Sequence, residues 1–284
     1  MIVALSILEL VILGFIAGVI GSLTGLGGGV VIIPMLTLAL GVPIEFAAGA
    51  SLVSSIATSS GAASAYVKEK LANIRIGMSL EIATTIGAII GSLMAAAIYA
   101  KQLGNLIYVL FGIVLILSIY PSLRAYKKRH VKRINKDWTT GFFQLSGSYY
   151  DKAAGRRIKY SGYRWWLGEG IMSIAGILSG LLGIGSGALK DIGMDWGMKL
   201  PIKVTTSTSN FMIGVTAAAS SAVYWYLGYI RPVLVGPILV GVLAGSYVGS
   251  KVLPQLRGGK VRLIFMAVLV VLGMEMVLRG IGVT

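Results

Sequence analysis

The chain contains no cysteine and one histidine. Without cysteine there is no disulfide framework, no thiolate metal site and no thiol nucleophile. His130 stands inside the basic run KKRHVKR, the setting of a solvated loop rather than of a ligand or catalyst. Charge is scarce as well. Charged residues make up 12% of the 284 residues, about half of what a soluble domain carries. No Gly-Lys-Ser/Thr phosphate loop, hydrolase motif or metal-ligand cluster is present, so ATP-driven, hydrolytic and metal-dependent chemistry have no residues to run on. No cofactor is expected.

What the chain has in abundance is apolar sequence. Hydrophobic residues reach 56%, mean hydropathy is +0.85, and runs long enough to cross a bilayer recur throughout, so the class is an all-α polytopic membrane protein. Its setting is the cell membrane, with the lipid bilayer as a partner. The N-terminus lacks the basic region of a signal peptide, and Glu9 interrupts the first apolar segment, so that segment is expected to be retained. A net charge of +15 would suit nucleic acid, but nearly half of the basic residues fall between Arg124 and Arg164. In a membrane protein such a stretch marks the cytoplasmic side, and no nucleic-acid partner is expected.

Apolar segments lie near 5–22, 30–40, 46–67, 77–98 and 104–121, and again near 166–182, 188–198, 204–226, 232–253 and 261–281. Segments 30–40 and 188–198 hold about 16 Å of helix, too little to cross. The two sets are a repeat. Pro43-Ile44 recurs as Pro201-Ile202, 158 positions on, and the same offset pairs Gly25, Gly27 and Gly29 with Gly183, Gly185 and Gly187. It also pairs Ser51 with Ser209, Thr58 with Thr216, Tyr66 with Tyr224, and Gly87, Gly91 and Ser92 with Gly245, Gly249 and Ser250.

Basic residues decide how the halves are related. If each glycine break were only a kink, the halves would be parallel and Lys101, Lys199, Lys203, Lys251, Arg257, Lys260 and Arg262 would lie outside. If each broken segment is a re-entrant hairpin followed by three transmembrane helices, the repeats are inverted, and only Lys101, Arg231 and Arg279 lie outside. Cytoplasmic loops favour Lys and Arg, so the inverted arrangement is expected, with both termini outside. The organisation is then a first transmembrane repeat (1–121), a basic cytoplasmic loop (122–165) and a second transmembrane repeat (166–284). Within the loop, LSGSYYDKAAGRRIKYSGY reads as a small β-hairpin turning on Lys-Ala-Ala-Gly.

Backbone at membrane depth must face protein or a water-filled cavity. The breaks GLGGG (25–29) and GIGSG (183–187) each precede a short helix and so present free N–H groups and a positive dipole end. Brought together by a pseudo-twofold axis, they would form an anion site near the midplane, lined by Gly27, Gly28, Gly29, Gly185, Ser186 and Gly187, where glycine lets the backbone itself approach the ligand. The competing role for glycine is helix packing, expected at Gly87/Gly91 and Gly241/Gly245/Gly249. The next element of each half is rich in hydroxyls, ASLVSSIATSSG (50–61) and TTSTSNFMIGVT (205–216). Ser51, Thr208, Ser209 and Asn210 are candidate donors to an oxyanion, their alternative role being bonds to neighbouring backbone.

Lys190 and Asp191 open the second short helix, where the first half has Ile32 and Ile33. Intramembrane charge is costly and usually functional. Lys190 would attract the anion, while Asp191 and Asp195, four apart, would pair with it or exchange protons. Glu81 and Glu275 lie nearer segment ends, and Glu275 and Arg279 have the i, i+4 spacing of an interfacial pair.

These residues resemble the TauE/SafE, or sulfite exporter-like, family of membrane anion permeases. The resemblance rests on GSLTGLGGGVVIIPML and the Ser-rich segment ending in SAYV, on GILSGLLGIGSG and Lys190, and on MKLPIKVTTSTSNFMIGVTAAASSAVYWYLGYI. It implies internally duplicated architecture and passage of sulfite, sulfonates or related oxyanions, with the glycine turns and Thr208-Ser209-Asn210 along the path. Ser186 and the acids in KDIGMD depart from the family pattern. The expected function is secondary transport of a small inorganic or organic oxyanion, sulfur-containing, driven by protons or by the substrate gradient. An anion channel is the alternative, separated by whether flux saturates and shows counterflow. A membrane-embedded enzyme is a further alternative, and it would change its substrate chemically.

Overall fold

In a computed structural model, residues 7–24, 27–127, 137–151, 155–185, 187–252 and 258–282 are described. The first repeat comprises α1 (Ile7–Thr24), α2 (Gly29–Pro34, continued by a π-helical turn Met35–Ala39), α3 (Ile44–Lys68), α4 (Ile74–Ala100) and α5 (Gly104–Lys127). A connector follows, with α6 (Trp138–Phe142) and strands β1 (Ser146–Asp151) and β2 (Arg156–Ser161). The second repeat has α7 (Trp165–Leu182), α8 (Gly187–Ile192, continued by a π-helical turn Gly193–Gly197), α9 (Ile202–Tyr226), α10 (Pro232–Val252) and α11 (Gly258–Gly280). The protein is therefore mostly helical and multi-pass. Among the described residues α1, α4, α7 and α10 are long and apolar enough to cross a bilayer. The outer face of α4 shows why: Ile82, Ile86, Ile90 and Leu93 form an exposed apolar stripe at helical spacing, which only lipid can cover.

Glycine sets the closest helix contacts. Gly14 and Gly18 of α1 lie against backbone of Ile238 and Val242 on α10, and Gly241 and Gly245 lie against Val11 and Phe15. Residue numbers rise together along both helices, so α1 and α10 run in the same direction. The counterpart contact joins α4 to α7, with Gly176 on Thr84, Gly180 on Ala88, and Gly87 and Gly91 on Ile177, again in the same direction. α5 and α11 instead run opposed, Gly112 meeting Gly273 and Gly280 meeting Val109. The hydroxyl-rich helices α3 and α9 pack against each other at the centre. Corresponding hydrogen bonds tie each to its own repeat: Tyr66 Oη donates to the Ser22 carbonyl at 2.7 Å, and Tyr224 Oη donates to the Gly180 carbonyl at 3.2 Å.

The connector contains the β-hairpin that the sequence suggests. β1 and β2 pair antiparallel from Ser146↔Ser161 to Asp151↔Arg156, while Lys152–Ala154 of its turn lie outside the described residues. Tyr149 and Tyr160 are buried with Leu71, Ile76, Leu80 and Met198, so the hairpin caps one end of the bundle. Asp137 ties α6 to that cap. Burial pushes its carboxyl up, but hydrogen bonds from Thr140, Thr139 and the Arg164 and Thr140 backbone N–H groups outweigh this and bring it down to about 2. Exposed aromatics mark both ends of the bundle, Trp138, Phe142 and Trp166 beside the hairpin, Trp225 and Tyr226 opposite.

Arg279 corrects one expectation. It is not paired with Glu275 but donates to the Thr37 carbonyl at 2.7 Å and lies over the Tyr108 ring. The π-helical turn after α2 leaves that carbonyl free, and a buried acceptor competes better for a guanidinium than a solvated carboxylate does.

Candidate functional site

The two glycine breaks meet. Gly27 and Gly185 both adopt the left-handed conformation, with φ of 74° and 71°, which glycine reaches without strain. Both face the same two side chains. A Cβ on Gly27 would stand 3.5 Å from Ser55 Oγ and 3.4 Å from Ile213, and on Gly185 3.2 Å and 2.9 Å from them. Ser55 and Ile213 are repeat mates, so the arrangement has one polar and one apolar wall. The loops also touch directly, Gly29 lying against the Ile184 backbone.

Hydroxyls from α3 and α9 brace the second of these loops. Ser51 Oγ donates to the Gly183 carbonyl at 2.5 Å, so a first-repeat helix holds the second-repeat loop. Ser209 Oγ donates to the Gly187 carbonyl at 3.3 Å. Asn210 Nδ2 donates to the Ser22 carbonyl at 3.1 Å, and Thr208 Oγ1 accepts from the Asn73 backbone N–H at 3.0 Å. All four side chains are fully buried. All four thus bond neighbouring backbone, Ser51 and Ser209 at the second glycine loop, Asn210 at α1 and Thr208 at the turn before α4. Gly28 packs tightly under Thr58 and Ile32. Ser186 lies outside the described residues.

Ser55, absent from the sequence-based candidates, is the side chain both loops face. Its Oγ is buried and bonds to no protein group. Buried polar atoms are satisfied in nearly all native sites, so an unbonded Ser55 Oγ where both loops meet suits a polar ligand. The available signal was its spacing: Ser51 and Ser55 are four apart on one face of α3.

Lys190 is fully buried. Its ammonium donates to Thr216 Oγ1 and stands 3.7 Å from Glu81 Oε2; Thr216 Oγ1 in turn donates to Glu81 Oε1 at 2.5 Å. The expected partner Asp191 is not the one used, because adjacent residues on a helix point about 100° apart while Glu81 projects directly from α4. Asp191 is buried and Asp195 half-buried on the π-helical turn. Glu81 and Thr216 escaped the sequence-based site, since Glu81 was placed near a segment end, yet it is 5% exposed. A cavity of about 370 Å³ lined by Glu45, Tyr99, Tyr108 and Tyr229 lies at the end of the bundle opposite the hairpin, away from the loops.

Comparison with known proteins agrees across the chain. The family model described as Sulfite exporter TauE/SafE matches residues 10–276. Probable membrane transporter protein YunE of Bacillus subtilis is 30% identical over 286 residues, covering 98% of this chain and 99% of the relative. Probable membrane transporter protein YdhB of the same organism is 29% identical over 248 residues, with 87% and 89% covered. Probable membrane transporter protein MJ0441 of Methanocaldococcus jannaschii is 26% identical over 289 residues, with 95% and 94% covered. No solved structure matches the chain.

Proposed function

The chain belongs to the sulfite exporter TauE/SafE family, and from that premise we propose that it is a secondary transporter for a small sulfur-containing oxyanion, coupled to protons. The observation that carries the reading is the meeting of Gly27 and Gly185 around the unbonded Ser55 Oγ. Loop N–H groups and a hydroxyl can donate hydrogen bonds to an oxyanion. In this reading Gly27, Gly28, Gly29, Gly185 and Gly187 form the loop walls of the path. Ser51, Thr208, Ser209 and Asn210 line and brace it, and Lys190 supplies the positive charge. Asp191, Asp195 and Glu81 are the carboxylates available for proton coupling.

The test is uptake into proteoliposomes of sulfite, sulfate, thiosulfate and organosulfonates. Saturable, counterflow-competent uptake of one of them is expected. Ser55→Ala is expected to weaken its affinity roughly tenfold, the worth of one hydrogen bond to an anion at about 1.5 kcal/mol. No uptake of any of the four would overturn the reading, and unchanged affinity in Ser55→Ala would misplace the site.

The inverted relation of the repeats belongs to the same proposal. Tyr66, near the end of α3, bonds Ser22, near the end of α1, and α4 departs from that end after a short turn, so α4 runs against α1. α7 runs with α4 and hence against its mate α1, which supports inversion. Residues Gln102 and Tyr229 share one cavity, which puts Lys101 and Arg231 at one end, whereas Lys203 pairs with Asp151 of the hairpin at 2.9 Å. The chain lacks cysteine, so single cysteines report cleanly. Arg231→Cys is expected to label in intact cells and Gly258→Cys only from the cytoplasmic side. External labelling of Gly258→Cys would overturn the inversion.

A further inference from the structure

The pair Lys190–Glu81 breaks the twofold pattern of the fold. By the repeat offset the mates of Lys190, Thr216 and Glu81 are Ile32, Thr58 and Leu239. Thr58 donates only to its own helix, to the Ser54 carbonyl at 3.0 Å, and Ile32 is fully buried. The corresponding positions are therefore apolar in the first repeat and ionic in the second. The apolar version shows that the architecture does not need charge there. A buried ion pair that the scaffold can do without is retained for something other than stability.

Resting on the transporter reading above, we propose that Glu81 is the proton carrier. Glu81 holds the Lys190 ammonium while the site is empty and takes up one proton when a singly charged oxyanion takes its place beside Lys190. Charge conservation in a water-poor interior leads to this. The empty site contains one ammonium and one carboxylate, net zero. An anion bound with Glu81 ionised would leave a net negative charge buried between α4, α8 and α9, which is costly. With Glu81 protonated, the ammonium and the anion again sum to zero, and Thr216 remains to hydrogen-bond the neutral carboxyl. One proton offsets one negative charge, so a sulfonate or a hydrogen sulfite ion suits the site and a dianion such as sulfate does not.

Among the described residues no other ionisable group intervenes. Glu81 takes its hydrogen bonds from Thr85 on its own helix and Thr216 on α9, and Lys190 is the one charge acting on it. The remaining groups on the elements packed against the pair are Glu169 on α7, Asp191 and Asp195 on α8 and its π-helical turn, Tyr108 on α5, and Lys203, Tyr224 and Tyr226 on α9. On α4 itself there are Arg75 and Tyr99. None of these interacts with Glu81 or Lys190. Lys203 is held by Asp151, Tyr224 by Gly180 and Arg75 by Gln144.

The experiment uses methanesulfonate, which carries one permanent negative charge, in proteoliposomes containing a trapped pH indicator, so any proton movement comes from the protein. Wild type is expected to acidify the interior as methanesulfonate enters, with apparent affinity rising up to about tenfold per unit fall in pH, the slope of one coupled proton. Glu81→Gln is expected to move methanesulfonate without acidification and with a flat pH profile. The double variant Lys190→Ile/Glu81→Leu reproduces the apolar mates and is expected to fold and to move nothing. Retained proton flow in Glu81→Gln, or uptake by the double variant, would overturn the proposal. So would a wild type that carries methanesulfonate without protons, or that carries sulfate in preference to it; both leave standing that the protein transports an oxyanion, and the first removes its proton coupling. A wild type that carries no anion of the panel overturns both.

Discussion

Glu81→Leu alone is expected to cost about 3–5 kcal/mol of folding stability, and adding Lys190→Ile is expected to return most of it. Removing one member of a buried ion pair leaves the other charge with neither water nor partner, and that is the expensive state. Lys190 is completely buried and its partners are Thr216 and Glu81, so among the described residues no other group takes over its ammonium. Replacing both partners by the residues their mates already use removes the uncompensated charge as well as the pair. The two effects should therefore be strongly non-additive, as contacting residues are. Thermal unfolding of the wild type, both single variants and the double variant in one detergent measures the cycle. Additive losses would mean that the two side chains do not form a unit.

That cycle also shows where sequence reading stopped. The repeat, the broken helices and the approach of the two glycine turns were legible because each is written as a local pattern that recurs 158 positions later. Tyr66 and Tyr224 were matched by number, and their hydrogen bonds to Ser22 and Gly180 follow the same match. Glu81 was not legible as the partner of Lys190 because the two lie on different repeats and meet only once α4 packs beside α9. Asp191 was the nearer acid in sequence, but helix geometry turns neighbours apart. Ser51 and Ser55 pose the same problem in smaller form. Both are buried hydroxyls on one face of α3, and only the position of the Gly183 carbonyl decides that Ser51 braces it while Ser55 Oγ bonds to no protein group.

Glycine carries two separate duties in this chain, and substitution should separate them. Gly91→Leu is expected to abolish folded protein, whereas Gly236→Leu should leave expression and thermal unfolding unchanged. At Gly91 an added Cβ would overlap the Ile177 carbonyl oxygen and stand 2.9 Å from the Leu181 nitrogen. Backbone cannot rotate aside as a side chain can, so α4 and α7 would have to separate along their shared face, and the Gly176 and Gly180 contacts would open with it. Gly236, also within a long helix, has nothing within 4 Å of its Cβ position, so leucine there gains helix propensity and meets lipid. Gly27→Ala tests the other duty. Its Cβ would clear its neighbours at 3.4 Å or more, leaving only the left-handed backbone at φ 74° as a cost, about 1–2 kcal/mol. The protein should fold, and anion uptake should fall because a methyl group then stands between Ser55 and the loop. Monodisperse elution from a sizing column separates the two classes. Folded Gly91→Leu protein would mean that α4 and α7 do not need backbone contact, and the close parallel pairing described above would have to be given up.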